Sequence, residues 1–149
     1  GRAGKLESDV CESISDGGEQ MTVVCVDDHP VLLEGLSLAV RQLLPDAQVS
    51  AFGHADSAIG FVEANGCDVL ISEIELFGTD GLELAKKVKK LNTNVNIIFL
   101  TVCDEKEYAK EVLGIKPSGY LLKPVKREQL ETELKSLRYP IDKREQRRK

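Results

Sequence analysis

Tryptophan is absent from this chain, methionine occurs once and histidine twice, and aromatic residues make up only 5%. No apolar run is longer than a strand, so a membrane-spanning helix, which needs about 20 apolar residues, is not expected. The first residues lack the basic-then-apolar order of a signal peptide. Cys11, Cys25, Cys67 and Cys103 form no C-x-x-C pair. With His29 and His54 the only histidines, a zinc site is not expected either. Reduced thiols and a cytoplasmic setting are the expectation.

What is present is a chain with hydrophobic content of 42% in 149 residues, enough for one real core. Its charge, −5 in total, is uneven. Residues 1–20 hold five acids against two bases, and residues 143–149 hold five bases against one acid. The acidic body argues against direct nucleic-acid binding by this domain. Residues 1–20 are polar and without period, and read as a disordered arm or a cloning remnant, with Met21 the natural start. Residues 21–138 read as one domain, and 139–149 as a basic linker or tail.

The elements alternate. Thr22–Val26 is a β-branched run that ends in Asp27-Asp28-His29-Pro30. Pro30 suits a first helical turn, and Val31, Leu32, Leu36, Leu38, Ala39 and Leu43 supply the apolar face of the helix that follows. Gln48–Phe52 reads as a second strand. Asp56 or Ser57 is expected to cap a short helix that Asn65-Gly66 terminates. Val69-Leu70-Ile71 is a third, interior strand, breaking at Ser72-Glu73 into an acidic loop. The helix after Gly81 carries Leu82, Leu84, Ala85, Val88 and Leu91. Asn96–Thr101 is the fourth strand, with Asp104 capping a helix through Tyr108, Ala109, Val112 and Leu113. Gly119–Leu122 is the fifth, stopped by Lys123-Pro124, and Gln129–Leu137 is the last helix. The pattern predicts an α/β fold, a flavodoxin-like (βα)5 doubly wound parallel sheet in the order 2-1-3-4-5.

In a parallel sheet all strand C-termini share one edge, where open α/β sheets bind their ligands. That edge gathers Asp27 and Asp28 from strand one, Glu73 from strand three, Thr101 from strand four and Lys123 from strand five. Three carboxylates repel unless a cation joins them, and magnesium suits such oxygen sites. Thr101 and Lys123 complete a set able to hold a phosphoryl group. Singly these signals are weak: an Asp-Asp pair is often a helix cap, and Lys-Pro is a common strand stop. Their joint placement carries the functional reading.

The motifs VDDHP, EIELFGTDG, LT and GYLLKP, in this order and at these intervals, resemble the receiver domain of two-component response regulators over about residues 21–138. The resemblance implies that Asp28 is a direct magnesium ligand supported by Asp27, and that Glu75 gives its backbone carbonyl to the metal. Glu73 falls at the position of the phospho-accepting aspartate. Thr101 and Lys123 become the phosphate-sensing pair, and Tyr120 the switch aromatic. A sensor histidine kinase as phosphodonor, a transcriptional output domain beyond a stretch like Leu137–Pro140, and a weak homodimer are implied as partners.

Three residues depart from the family pattern. Glu73 adds a methylene at the acceptor position and carries its oxygens on the order of 1.5 Å further into the pocket. A displacement of that size can cost about a hundredfold in an in-line transfer. Val102 stands where alanine or glycine is usual, and Phe77 where proline is. Two readings stay open: a degenerate, non-enzymatic receiver acting through protein contacts over residues 104–137, with Glu73 pairing Lys123 and accepting from Thr101 without phosphate; and a phospho-accepting receiver in which Glu73 is modified or is an engineered change from aspartate. A phosphatase of the haloacid dehalogenase kind requires D-x-D after strand one, which Asp27-Asp28-His29 does not provide.

Overall fold

The computed structural model describes residues 21–76, 79–102 and 109–141. The arm 1–20, Phe77, Cys103, the Asp104 cap, Tyr108 and the basic residues 143–149 lie outside the described residues. In chain order the elements are β1 (Thr22–Val26), α1 (Pro30–Leu43), β2 (Gln48–Phe52), α2 (Ala55–Asn65), β3 (Val69–Glu73), β4 (Glu75–Leu76), β5 (Thr79–Asp80), α3 (Gly81–Leu91), β6 (Asn96–Thr101), α4 (Ala109–Ile115), β7 (Gly119–Leu122) and α5 (Arg127–Lys135).

Strands β1, β3 and β6 are buried at every position, as strands covered on both faces must be. Strands β2 and β7 are partly open and form the edges. All four pairings in this sheet are parallel, in the order β2-β1-β3-β6-β7. The expected order 2-1-3-4-5 needs correction as a numbering of the whole chain. The short antiparallel ribbon β4–β5 intervenes, with Glu75 opposite Asp80. Two-residue strands in the turn after β3 carry no period that could announce them.

Alternation along each strand divides the core into two layers. Val23, Cys25, Ile71 and Ile98 pack with Leu36 and Val40 of α1 and Leu130 and Leu134 of α5. Val24, Leu70, Ile97 and Phe99 pack on the other face with Val62 of α2, Leu82 and Val88 of α3, and Val112 of α4. The sheet is therefore covered on both faces.

Several local expectations are corrected. Glu73 and Ser72 do not open a loop but continue β3, with Glu73 opposite Leu100 of β6. Helix α2 begins at Ala55 with His54 as N-cap, so Asp56 lies in the first turn rather than capping. Gly66 ends that helix at φ +81°, a conformation natural to glycine. Helix α5 runs Arg127–Lys135, two residues N-terminal of the expected span. Leu91 and Leu113 are exposed.

Helix α1 buries Leu36 and Val40 but leaves Val31 80%, Leu32 46% and Leu38 53% exposed. The expected face is corrected: Leu36 and Val40 are buried, Leu33, Ala39 and Leu43 pack partly against the same core, and Val31, Leu32 and Leu38 do not join it. Gly81 is required where α3 starts. Its N–H donates to the Ile74 carbonyl at 2.6 Å, and a Cβ there would strike the Glu73 carbonyl and come 2.8 Å from that of Ile74.

The start of the expected tail lies against the domain. Asn96, buried at the start of β6, accepts from the Tyr139 N–H at 2.7 Å and donates to the Tyr139 carbonyl at 2.8 Å. Ser118 donates to the same Asn96 carbonyl at 2.8 Å, and Lys89 stands 4.6 Å above the Tyr139 ring.

Candidate functional site

The site lies where β1, β3, β6 and β7 end together. Parallel pairing places Val26 beside Ser72, Glu73 beside Leu100 and Thr101 beside Leu122. Asp27 follows β1 directly, its N–H donating to the Phe52 carbonyl at 3.2 Å and thus extending the ladder. Lys123 follows β7 and donates its N–H to the Thr101 carbonyl at 2.7 Å. The sheet thereby fixes four chain segments, and their side chains converge.

At the centre is the Lys123 ammonium. Its Nζ lies 2.6 Å from Asp27 Oδ2 and 2.6 Å from Glu73 Oε1. The three side chains are buried, at 7%, 1% and 4% exposure. Burial alone would lower the Lys123 pKa, but the hydrogen bonds and charges of Asp27 and Glu73 outweigh it and hold the pKa above its ordinary value. The lysine is a fixed cation between two carboxylates.

The second oxygen of Glu73 is also engaged. Oε2 accepts from the Ile74 N–H at 3.0 Å and from the Glu75 N–H at 3.3 Å. Asp27 Oδ1 accepts from the His29 N–H at 3.0 Å and lies 3.0 Å from His29 Nδ1. The same ring nitrogen is 3.3 Å from Asp28 Oδ1. His29 is the N-cap of α1 yet makes no side-chain cap hydrogen bond, because its ring turns to these aspartates.

Of the residues singled out in the sequence, Asp27, Glu73 and Lys123 meet directly, and Thr101 is buried beside them. Among the described residues, the one group of potential metal ligands is Asp27, His29 and Glu73, whose ligand atoms lie within 4.8 Å of one another. Asp28 and Glu75 do not join that group: Asp28 stands at its rim beside His29, and Glu75 is exposed in β4. Tyr120 is half-buried against the Phe99 side of the core. Val102 is exposed and lines a cleft with Asp27 and Lys123.

Residues 23–135 match the family model described as the response regulator receiver domain. The chain belongs to that family. It is 32% identical over 122 residues to the positive alginate biosynthesis regulatory protein of Pseudomonas aeruginosa, covering 80% of this chain and 48% of that protein. It is 31% identical over 107 residues to the response regulator UvrY of Escherichia coli, covering 69% of this chain and 47% of that one. The chain thus spans about half the length of these curated relatives. In structure it is similar to the chemotaxis protein CheY4 of Vibrio cholerae, with a TM-score of 0.70 at 23% identity over 78% of this chain and 97% of that one. Among the described residues no helix is long and apolar enough to cross a membrane.

Within this receiver the residue that sequence reasoning missed is His29. Its signal was its place directly after two aspartates and before the helix-starting Pro30, where its ring and backbone N–H are held against Asp27.

Proposed function

We propose that this receiver works as a degenerate signalling module, with its switch lysine engaged by its own Glu73 rather than by a phosphoryl group. The observation that carries the reading is the occupancy of the Glu73 carboxylate: Oε1 is bound by Lys123 and Oε2 by two backbone N–H groups. A nucleophilic carboxylate needs an oxygen free to approach phosphorus in line, and a carboxylate held at both oxygens is poorly placed for that. The longer glutamate arm brings its charge to the lysine, as a bound phosphoryl oxygen would. Output then passes through protein contacts, with a partner domain of the full-length protein or a second copy, and the acidic body takes no direct part in nucleic-acid binding.

Asp27 and Glu73 fit a hard divalent cation by ligand type, and Asp28 adds a third carboxylate at the rim. Magnesium would be held by Asp27 and Glu73, with Asp28 beside them at the rim, and would supply charge neutralisation for an incoming phosphoryl oxygen. Lys123 already neutralises part of that charge, so magnesium binding is weaker here than in a site whose lysine stands apart.

The alternative is a phospho-accepting receiver served by a sensor histidine kinase. It is favoured by the assembly of Asp27, Asp28, Thr101 and Lys123 at one sheet edge. Glu73→Asp distinguishes the two: treated with a small-molecule phosphodonor and magnesium, the revertant is expected to gain a phosphoryl adduct that the parent chain lacks. A parent chain modified at Glu73 as readily as the revertant would overturn the degenerate reading.

A further inference from the structure

Helix α1 and the segment from Lys123 into α5 line an open cleft of about 560 Å³. Its volume lies in the range of small-molecule sites, about 300 to 1,000 Å³. One wall is the α1 row Val31, Gly35 and Ala39, which is about 12 Å long at the helical rise. Val125 and Leu130 form the other wall, and Val102 stands at the rim. Val31 and Leu32 are left exposed at the mouth although the fold buries Leu36 and Val40 of the same helix. The charged lining residues are Asp27, Lys123, Lys126 and Arg127, and the first two are buried as a pair at the floor. Lys126 and Arg127 make the exposed rim cationic, Arg127 also donating from Nη1 to Gln42 Oε1 at 2.6 Å, and the walls are apolar.

We propose that this cleft binds a small amphipathic anion, an acid with one carboxylate head and an apolar aliphatic or aromatic body. The body lies along Val31, Gly35 and Ala39, and the head meets Lys126 and Arg127. The complementarity is specific in sign, because a cationic head would face two rim cations. Since Asp27 and Lys123 form the floor, an occupant touches the same lysine that holds Glu73. The site stands independently of whether Glu73 accepts phosphate.

Gly35 supplies a clean probe, because a Cβ built there meets nothing within 4 Å. Gly35→Phe extends into the cleft from a helix face with room for it. On the full chain, decanoate, decanol and decyltrimethylammonium are titrated while the methyl signals of Val31, Leu32, Val102 and Val125 are followed by NMR. Saturable shifts are expected with decanoate below about 1 mM, weaker with decanol and weakest with the cation. Gly35→Phe is expected to weaken decanoate at least about tenfold, and the exposed pair Lys126→Glu with Arg127→Glu to reverse the preference for the anion. The reversal keeps the test decisive if the phenylalanine variant fails to fold. Equal shifts with anion and cation, unchanged binding in a folded Gly35→Phe chain, or no saturable shift with any probe would each overturn the proposal. So would concentration-dependent shifts of these methyls without ligand, which would put a second copy in the cleft.

Discussion

Replacing Lys123 by methionine removes the ammonium that touches both Asp27 Oδ2 and Glu73 Oε1. Both oxygens lie 2.6 Å from the same nitrogen, so they are close neighbours once it is gone. At a separation of about 5 Å and an effective dielectric of about 20, two negative charges repel by about 3 kcal/mol. Breaking a buried ion pair by deleting one partner costs about 3–5 kcal/mol, which agrees with that figure. Lys123→Met is therefore expected to lower the urea midpoint by an amount corresponding to roughly 3–5 kcal/mol at neutral pH. Adding Glu73→Gln removes one of the stranded charges and should recover more than half of the loss. Magnesium should stabilise Lys123→Met more than the parent, because a divalent cation can replace the ammonium between the carboxylates. The pH dependence follows from the raised Lys123 pKa. The pair's contribution is fully present below the ordinary value of 10.5 and is lost as pH rises through the higher folded value. A single variant that loses less than about 1 kcal/mol, the range of exposed pairs, or a double variant no better than the single, would show that Lys123 does not hold the two carboxylates together.

Gly81→Ala should destabilise the domain by about 1–3 kcal/mol or more, because the new methyl group meets the Glu73 and Ile74 carbonyls; chemical denaturation reads the loss. Asn96→Ala strips the Tyr139 backbone and Ser118 of their partner, and a loss of about 1–3 kcal/mol with faster amide exchange at Tyr139 is expected. Burial pushes the Cys25 and Cys67 thiols up to about 12, the Asp68 charge adding to it at Cys67, so both should resist a thiol reagent at pH 8 until the chain is unfolded. Site-resolved mass spectrometry checks that directly.

The strands were legible because their chemistry is. The β-branched and aliphatic runs around Val24, Leu70 and Ile98 are bounded by turns and are short, and a parallel sheet with both faces covered is what such runs build. The site edge was legible for the same reason: Asp27, Glu73, Thr101 and Lys123 each end or follow a strand. The choice of face on α1 was not, since Val31, Leu32 and Leu38 are as apolar as Leu36 and Val40, and only contact with the sheet and α5 separates them. His29 has its partners within two residues, so its place in the Asp27-Asp28-His29-Pro30 run is its signal and no long-range pattern adds to it. The Asn96–Tyr139 contact joins residues 43 positions apart and depends on the tail returning to the sheet, which no local propensity encodes.

The most direct measurement is intact-mass spectrometry of the unmodified chain after incubation with a small-molecule phosphodonor and magnesium, with peptide mapping across Glu73. With Glu73 held by Lys123 and the Ile74 and Glu75 amides, the expected result is no phosphoryl adduct at that residue. A stoichiometric acyl phosphate on Glu73 would contradict the account, because it requires the carboxylate to leave its lysine and act as a nucleophile.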